Sequence, residues 1–370
     1  MKIDQIEVYY VALPLIYPWR TAYGEDPDIH SVLVKMVSGE HSGWGETTPF
    51  RMPTYSPESA MSVYYNISEF FAPLLVGKEI DSPEALLDCY KFIKGNPFAK
   101  AGPETAWWNL KAKVEGKPLR ELFGGTLRKV KAGADYGVQD SYDMLLEKIQ
   151  QACNRGYRRI KLKVRPGWDL EMLEIVRSTF PDMTFHIDCN SGYTLRDIDI
   201  FKKIDKLGLE MIEQPLNHTD LLDHAELQKQ LDTPICLDES ITSIRSFEFA
   251  LRLKSCRYLN IKTGRVGGLS VAIKLHHMAQ EAGIPCWVGS MLESGIGEGI
   301  LIELGTLNNF TYPGDIFPSD VHYRQDITDP EVVLDEDCTY TPSRVPGTPY
   351  EPVMERVKAV SLHSKTIRPE

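Results

Sequence analysis

The chain has 370 residues, a formal net charge of −11 at pH 7 and a sequence pI near 5.4, which argues against nucleic acids and anionic membrane surfaces as partners. The length suits two domains, or a barrel with an added module. The sequence shows neither a charged leader followed by an apolar segment nor a run of about 18 apolar residues, so we expect a cytoplasmic protein.

The first 125 residues have the pattern of a small α+β domain. Alternating apolar residues over 3–13 and 31–37 predict antiparallel strands, and the stretch 57–112 predicts helices. Two intervening segments, 18–29 and 48–57, are predicted as loops. Loops of this length in a compact domain are often lids, although ordinary surface turns explain these residues equally well.

After residue 125, short apolar runs alternate with helical patterns. Six runs, the first being VKAGADYGV at 130–138, bring the chain to Lys262, and the runs at 287–291 and 310–314 predict a seventh and an eighth strand. Five charged residues each end one run, at intervals of 24 or 25 residues: Lys163, Asp188, Glu213, Asp238 and Lys262. A strand, a turn, a helix and a return turn need roughly this length, so the interval predicts repeated βα units.

Closing such units into a barrel would bring the carboxyl ends of all strands to one rim, where barrel enzymes keep their sites. Carboxylates on three successive strands would form an all-oxygen site suited to Mg²⁺. The two lysine-bearing strands bracket the acidic ones, so ammonium groups would lie on opposite sides of the metal. Lys161 would leave its strand on the same face as Lys163. Taken singly, each charge is better explained as a solvated loop residue or a helix cap, but the shared interval favours a joint site.

A set of motifs carries a family resemblance. They are KLK (161–163), DCNSGYTL (188–195), IEQPL (212–216), LDES (237–240), NIKTGRVGG (260–268), WRTAYG (19–24), GWGE (43–46), GSMLESGIG (289–297) and PGD (313–315). With these motifs the chain resembles the muconate-lactonizing subgroup of the enolase superfamily over nearly its whole length. Within that subgroup it resembles the o-succinylbenzoate synthase / N-succinylamino acid racemase family.

The resemblance implies an α/β fold, a (β/α)7β modified TIM barrel with an α+β N-terminal capping domain. The capping domain with its lid loops would occupy residues 1–125, and the barrel would occupy 126–320. The segment 321–370, whose start is rich in Pro and Asp, would return to the capping domain.

The resemblance also implies a metal site. Its ligands to Mg²⁺, for which Mn²⁺ is an alternative ion, would be Asp188, Glu213 and Asp238. Asn190 and Glu239 would support these ligands, although a purely structural role fits each of the two equally well.

The expected chemistry follows from charge. Removing a proton α to a carboxylate would create a dianionic enediolate, which a divalent cation stabilises where the charge develops. Enolase-superfamily sites pair such a cation with a lysine or histidine base. By resemblance, Lys163 would be the base on one face of the substrate and Lys262 the group on the other. A lysine needs a lowered pKa to act as a base, and the Lys161 ammonium would help lower that of Lys163.

Six further residues are expected to bind substrate: Tyr23, Tyr55, Asp135, Arg265, Ser290 and Met291. The position of Arg265 goes with the racemase-capable members of the family. Asp135 departs from the family pattern, which has a small polar residue there. Its charge would repel a succinyl carboxylate unless the side chain is paired or turned away.

The expected substrate is therefore a small carboxylate, bound by a protein that is expected to form a homo-oligomer. The preferred reaction is the dehydration of 2-succinyl-6-hydroxy-2,4-cyclohexadiene-1-carboxylate to o-succinylbenzoate. Racemization of N-succinylamino acids is the main alternative, and dipeptide epimerization or muconate-type cycloisomerization comes after it. From another class, a non-catalytic metal-stabilised barrel would need the carboxylates but not two opposed lysines. Zinc-hydrolase and phosphate-loop patterns are absent from the sequence.

Overall fold

Three strands begin the chain: β1 (Gln5–Thr21), β2 (Gly24–Ser38) and β3 (His41–Thr47). Buried and partly buried side chains alternate at the start of β1, whereas the middle of β2 and the end of β3 are buried on both faces. In the computed structural model, which describes residues 1–369, these strands pair in antiparallel fashion. A strand from the C-terminal end of the chain, Ser361–Ile367, completes the sheet by pairing with β1. The predicted antiparallel strands are therefore present, and they form a four-stranded sheet.

Helices cover one face of this sheet. They are α1 (Ala60–Asn66), α2 (Ala72–Leu75), α3 (Pro83–Asp88) and α4 (Pro97–Val114). The π-helical turn Ile67–Phe71 joins the first two. The long α4 lies so close to β3 that a Cβ on Gly43 or Gly45 would overlap its backbone. The two glycines of the GWG sequence therefore allow the helix to approach the sheet.

The prediction of a loop at residues 18–29 is wrong. The strands β1 and β2 continue through it, with Trp19 opposite Asp26 and Thr21 opposite Gly24, and they turn at residues 22–23. Pairing of the two backbones extends the hairpin although most side chains here are polar or only partly buried. The second segment, 48–57, has irregular backbone as expected.

Short apolar strands form the second domain. They are β4 (Val130–Lys131), β5 (Ala134–Tyr136), β6 (Arg159–Lys163), β7 (Thr184–Asp188), β8 (Ile212–Glu213), β9 (Ile235–Leu237), β10 (Tyr258–Ile261) and β11 (Cys286–Val288). Strands β5 to β11 pair in parallel, each with its neighbour in the sequence, and make one curled sheet. Helices follow the strands: α5 (Tyr142–Arg155), α6 (Leu170–Thr179), α7 (Ile198–Ile204), α8 (Leu222–Gln228), α9 (Ile244–Leu253), α10 (Thr263–Val266), α11 (Leu269–Glu281) and α12 (Gly295–Leu304).

Residues 310–314, predicted as the eighth strand, form isolated bridges rather than a regular strand, and they close the barrel together with Asp315. Phe310 forms a parallel bridge with Cys286 on β11, and Gly314 forms one with Ala132, next to β4. The Asp315 N–H donates to the Val288 carbonyl at 2.9 Å, and the Gly133 N–H donates to the Gly314 carbonyl at 2.9 Å. The predicted modified barrel with an N-terminal capping domain is thus confirmed.

The remaining segments connect the two domains. They are α13 (Ser319–His322), β12 (Thr328–Asp329), β13 (Thr339–Tyr340), β14 (Glu351–Pro352), α14 (Met354–Val360) and β15 (Ser361–Ile367), the strand that pairs with β1. A single large cluster of buried apolar residues runs through both domains. Within residues 1–369, none of the helices is both long and apolar enough to cross a membrane.

Candidate active site

The five charged residues of the shared interval gather at the carboxyl end of the barrel. Lys163, Asp188 and Glu213 are the last residues of β6, β7 and β8, and Asp238 and Lys262 follow β9 and β10 directly. Neighbouring strands are in matching register, with Lys163 opposite Asp188. The three carboxylates are fully buried and the two lysines nearly so. Because parallel strands end at one rim, residues far apart in sequence form a single polar cluster.

Two lysines hold one end of the carboxylate row. Lys163 Nζ donates a hydrogen bond of 2.6 Å to Asp188 Oδ2. Lys161 Nζ lies 2.9 Å from Asp188 Oδ2 and 2.8 Å from Glu213 Oε2. It also donates to Asp315 Oδ2 at 3.0 Å. The predicted placement of both lysines on one face of β6 is therefore observed.

Lys262 holds the other end of the row. Its Nζ donates to Asp238 Oδ2 at 2.9 Å and lies 4.7 Å from the centroid of the Tyr55 ring. The sulfur of Met291 is 3.6 Å from the same nitrogen. The carboxylates thus lie between two ammonium groups, Lys163 at one end and Lys262 at the other.

Both of these lysines line one small cavity of about 20 Å³. Trp19, Tyr23 and Phe50 of the capping domain cover it, and barrel residues form the rest of its wall: Asp135, Lys161, Lys163, Asn190, Lys262, Ser290, Met291, Leu292, Asp315 and Phe317. A cavity of this size holds about one water molecule. A substrate therefore requires the capping residues to move outward.

Charge pairing sets the protonation states of the row. Burial acts to raise the pKa of Asp188, but the ammonium groups of Lys161 and Lys163 outweigh it and hold that pKa below its ordinary value. The pKa of Glu213 is also lowered, since Lys161 counters its burial and the charge of Asp188. These two groups are therefore carboxylates at neutral pH.

The pKa of Lys163 differs from the expectation. Burial acts to lower it and Lys161 acts in the same direction, as predicted, but the adjoining Asp188 carboxylate raises the pKa above its ordinary value overall. With this pairing Lys163 stays an ammonium group. It becomes a base only when the charge of Asp188 is engaged elsewhere.

The donor set fits a hard divalent cation. Asp188, Glu213 and Asp238 offer only oxygen, the ligand atom that Mg²⁺ prefers. Next to them, Glu239 Oε2 and Asn190 Oδ1 are buried oxygens without a hydrogen-bond partner among residues 1–369. As the side chains of residues 1–369 stand, no three His, Cys, Asp or Glu groups are gathered as a metal centre. The three carboxylates face ammonium and guanidinium groups, so binding a metal requires them to turn.

Asn190 and Glu239 lie beside this row as predicted neighbours. The Asn190 N–H donates to Asp188 Oδ1 at 2.9 Å, and its side-chain amide reaches Glu239 Oε1 at 3.4 Å. Burial, followed by the nearby charge of Asp188, raises the pKa of Glu239 to about 7. Asn190 has a left-handed backbone with φ of 41°. The strained turn brings its N–H onto the first carboxylate.

Asp135 faces the cavity next to Lys161. The two residues are opposite one another on β5 and β6, yet Asp135 Oδ2 is 3.9 Å from Lys161 Nζ. Its Oδ1 is buried and has no hydrogen-bond partner in the described part of the chain. Burial raises its pKa to about 7, against the opposing charges of Lys163 and Lys161. Asp135 is therefore neither closely paired nor turned away, and burial weakens its negative charge instead.

Arg265 and Tyr55 contact Asp238 directly. Arg265 is fully buried and forms an ion pair with Asp238 Oδ1, while its other nitrogens donate to the Ile241 and Asn260 carbonyls at 2.8 and 2.6 Å. The Tyr55 hydroxyl donates to the same Oδ1 at 2.9 Å. Both residues thus contact Asp238 Oδ1. Their role in binding substrate stays a prediction.

Tyr23, Ser290 and Met291 are the other residues expected to bind substrate, and all three line the cavity. Tyr23 also lines a second pocket of about 270 Å³, together with Tyr55, Asn190 and Glu239. Tyr23 and Asn190 therefore border both the cavity and this larger space.

Sequence reasoning missed three buried partners of the site. Asp315 accepts hydrogen bonds from Arg159 at 2.7 Å and from Lys161 at 3.0 Å. Asn260 donates to Glu213 Oε1 at 2.6 Å. Arg159 and Asn260 each stand two residues before a site lysine and so share its face of the strand. This alternation was the available signal for them, and the PGD motif was the signal for Asp315.

Comparisons with known proteins agree on the family. The profile described as "Mandelate racemase / muconate lactonizing enzyme, N-terminal domain" matches residues 5–124, and the profile described as "Enolase C-terminal domain-like" matches residues 144–356. A solved structure of an enolase superfamily member from Listeria innocua superposes with a TM-score of 0.95 at 35% identity, covering 100% of this chain and 99% of that one.

Two relatives of similar identity have different names. o-Succinylbenzoate synthase from Geobacillus kaustophilus is 40% identical over 366 residues, which cover 99% of this chain and 97% of the relative. N-succinylamino acid racemase from Thermus thermophilus is 39% identical over 329 residues, which cover 89% of each chain. Identity alone therefore leaves the choice between a lyase and an isomerase open.

Proposed function

The chain belongs to the enolase superfamily, with domains of the mandelate racemase / muconate lactonizing enzyme type, and from this premise we propose that it is a Mg²⁺-dependent o-succinylbenzoate synthase. The proposed reaction dehydrates 2-succinyl-6-hydroxy-2,4-cyclohexadiene-1-carboxylate by removing a proton α to a carboxylate. The relative of that name from Geobacillus kaustophilus, aligned over nearly the whole chain, supports this choice.

One observation carries the proposed chemistry. Lys163 and Lys262 hold opposite ends of one buried carboxylate row, and both line the same cavity. A non-catalytic metal-stabilised barrel has no need of two opposed ammonium groups in a closed space. Proton removal next to a carboxylate needs a base on one face and a positive group near the charge that develops.

The residues of this chain would share the work as follows. Lys163, as a neutral amine, takes the α-proton and becomes an ammonium group. It then gives a proton to the departing hydroxide, so that the carbon–oxygen bond breaks and water leaves. Lys262, as an ammonium group on the other face, stabilises the negative charge of the intermediate. Trp19, Tyr23 and Phe50 cover the cavity and would exclude bulk water.

Asp188, Glu213 and Asp238 would hold the Mg²⁺ ion. When bound, the ion supplies positive charge that stabilises the additional negative charge on the substrate carboxylate. Engagement of Asp188 as a ligand would also remove the partner that keeps Lys163 protonated. The carboxylate row thereby prepares the base as well as the metal site.

Racemization of N-succinylamino acids is the second candidate. The symmetry of the two lysines favours it, because each donates to a carboxylate at one end of the row. In a racemase one lysine removes the α-proton and the other delivers a proton to the opposite face. The Thermus thermophilus relative with that name supports this alternative.

The deciding experiment compares the two reactions in one preparation. We expect kcat/KM for the dehydration to be about 10⁴ M⁻¹s⁻¹ or more with Mg²⁺, within the range of evolved enzymes, and to vanish when the metal is chelated. Racemization of a panel of N-succinylamino acids is measured in parallel. A dehydration rate at background, with efficient racemization, would assign the protein to the second candidate.

A further inference from the structure

The wall of the cavity beside Lys262 is a strained turn, Ser290–Glu293, which follows β11. Leu292 in this turn has a left-handed backbone with φ of 62°, an uncommon conformation for a residue with a branched side chain. The turn presents Met291 to Lys262, with Met291 Sδ 3.6 Å from Nζ. Whatever holds the turn therefore also fixes the surroundings of that lysine.

Hydrogen bonds within the turn meet at the Ser290 hydroxyl. The Leu292 N–H donates to Ser290 Oγ at 2.8 Å. Glu293 Oε2 lies 2.6 Å from the same oxygen, and it also accepts the Met291 N–H at 2.6 Å. Glu298 Oε1, in the first turn of α12, lies 2.8 Å from Ser290 Oγ on another side.

The number of protons available at Ser290 Oγ shows whether both neighbouring carboxyl groups can be ionised. A serine hydroxyl has one proton to donate and two lone pairs to accept with. The Leu292 N–H uses one lone pair, and two carboxyl groups remain within hydrogen-bonding distance. If both were ionised, only one of them could receive the hydroxyl proton, and the other short contact would join two acceptors. One of the two carboxyl groups must therefore donate.

Glu298 is the better donor. Burial raises the pKa of Glu293 as well, and both carboxyl groups accept a backbone N–H, but the charge of Lys262 lowers the pKa of Glu293 and so favours its ionised form. Burial and then the charge of Glu293 raise the pKa of Glu298 well above its ordinary value. The other titratable groups that face Glu298 are acidic or phenolic: Glu46 from β3 and Tyr323, Tyr340 and Tyr350 from the C-terminal segments.

We propose that Glu298 is a protonated carboxylic acid whose hydrogen bond to Ser290, passed on to Glu293, holds the Ser290–Glu293 turn and with it Met291 against Lys262. In this arrangement Glu298 donates to Ser290 Oγ, and the Ser290 hydroxyl donates to Glu293 Oε2. Loss of the Glu298 proton places two buried carboxylates around one hydroxyl proton and releases one of the contacts. Glu298 is then a positioning residue for Lys262, the lysine on the other face of the substrate.

The capping domain holds the start of α12 through Glu46 on β3. Glu46 accepts from the Ser294 N–H at 3.1 Å and from the Gly297 N–H at 3.0 Å, and the Ser294 hydroxyl donates to it at 2.6 Å. The Tyr323 hydroxyl donates to the Leu292 carbonyl at 2.5 Å. The start of α12 is thus fixed independently, so breaking the Glu298 contact should loosen the turn rather than the helix.

The first test detects the proton on Glu298 without measuring activity. Infrared difference spectra of wild type and Glu298→Gln at neutral pH should contain the carbonyl stretch of a buried carboxylic acid. The thermal midpoint is then followed with rising pH. A raised folded-state pKa gives stability that is present in acid and is lost as pH rises through that pKa. We therefore expect wild type to lose stability relative to Glu298→Gln as pH rises above the ordinary glutamate pKa of about 4.3 towards the raised folded-state pKa, whereas the exposed control Glu281→Gln should follow wild type.

A second variant shows which carboxyl group carries the proton. Glu293→Gln removes the neighbouring charge, so the loss of stability should end at a lower pH. If that variant instead abolished the loss, the proton would belong to Glu293 and the proposal would be overturned. Absence of both the carbonyl band and this loss of stability in wild type would overturn it too. These readouts need no substrate, so they stand even if the proposed function fails.

The effect on catalysis rests on the proposed function. Glu298→Leu, which cannot donate, should lower kcat on the order of tenfold or more, because small misplacements of reacting groups are costly. Glu298→Gln should restore most of that loss and remove the decline of kcat that follows ionisation of Glu298 as pH rises. Equal kcat and equal pH profiles in all three proteins would show that the turn does not depend on Glu298. Activity absent from wild type as well would contradict only the proposed function.

Discussion

Asp135 is the residue whose charge was expected to repel a substrate carboxylate, and its surroundings soften this conflict. The carboxyl group is buried, its Oδ1 has no hydrogen-bond partner among residues 1–369, and burial raises its pKa to about 7. Near neutral pH it is in part a neutral acid that can donate a hydrogen bond to a substrate oxygen. A succinyl carboxylate would then meet less repulsion than the sequence alone suggests.

This environment predicts a pH dependence of stability. A carboxyl group with a raised folded-state pKa contributes stability that is present below its ordinary pKa and lost as pH rises through about 7. With metal chelated, we expect the free energy of unfolding of wild type to fall relative to Asp135→Asn between about pH 4 and pH 8. Denaturant titrations across this range measure the difference, and a constant difference would mean that Asp135 is ionised throughout.

Single residues of the site were partly predictable. Regular spacing located Lys163, Asp188, Glu213, Asp238 and Lys262, because one charged group recurs at the end of each strand. Asp315 could not be placed, since its contacts with Arg159 and Lys161 join the ends of a closed barrel and depend on how the ring closes. The raised pKa of Lys163 could not be predicted from the sequence either, because it depends on the direct contact between Lys163 and the Asp188 carboxylate.

Among the elements, the two segments near the cavity differ in backbone order. The tip of the β1–β2 hairpin is paired strand, with Arg20 opposite Glu25, and Arg20 also contacts Asp140 on the barrel at 2.6 Å. Residues 48–57 are irregular, yet Tyr55 reaches Asp238. The hairpin tip should therefore move as a unit, and the second segment as a loop.

Hydrogen exchange can test this difference. Amides of 19–21 and 24–26 should be protected relative to those of 51–57, because the former lie in paired strands. Saturating Mg²⁺ with a substrate or product should slow exchange mainly in 51–57. Equal fast exchange in both segments would show that the hairpin tip is a loop after all, as the sequence first indicated.

Sequence patterns predicted elements with buried faces better than elements held by backbone alone. The apolar runs around β6 to β11 were recognised because both faces of a barrel strand are buried. The sequence predicts a loop at the hairpin tip because residues 18–29 are rich in Pro, Trp, Tyr and Gly. Its pairing comes from the register of the neighbouring strands, which side-chain type does not reveal.

At the scale of the whole molecule, the two domains share one apolar core, and strand β15 ties the end of the chain to β1. The site lies where the capping domain covers the carboxyl end of the barrel. Division of the chain at residues 125 and 320, a homo-oligomer and a cytoplasmic location all stay predictions.

Metal binding should stabilise the whole molecule. An ion that binds only the folded state at 100 times its dissociation constant adds about 2.7 kcal/mol. We expect Mg²⁺ to raise the thermal midpoint by several degrees in wild type and in the exposed control Asp223→Asn, but not in Asp238→Asn. Because the last variant also loses ion pairs with Lys262 and Arg265, the comparison uses the shift caused by Mg²⁺ within each protein. An equal shift in all three would place the ion elsewhere.

The most direct test of the central claim is exchange of the substrate α-hydrogen with solvent, followed with Mg²⁺ as loss of an α-deuteron to water from both candidate substrate classes, whether or not dehydration follows. We predict this exchange in wild type, a decrease of at least about 10³-fold in the Lys163→Ala and Lys262→Ala double variant, and Mg²⁺ binding by that variant at least as tight as in wild type, because both lysines pair with ligand carboxylates. With N-succinylamino acids, each single variant should retain exchange of one enantiomer only. Exchange that persists in the double variant, or that is absent from wild type on both classes, would contradict proton abstraction between these two lysines.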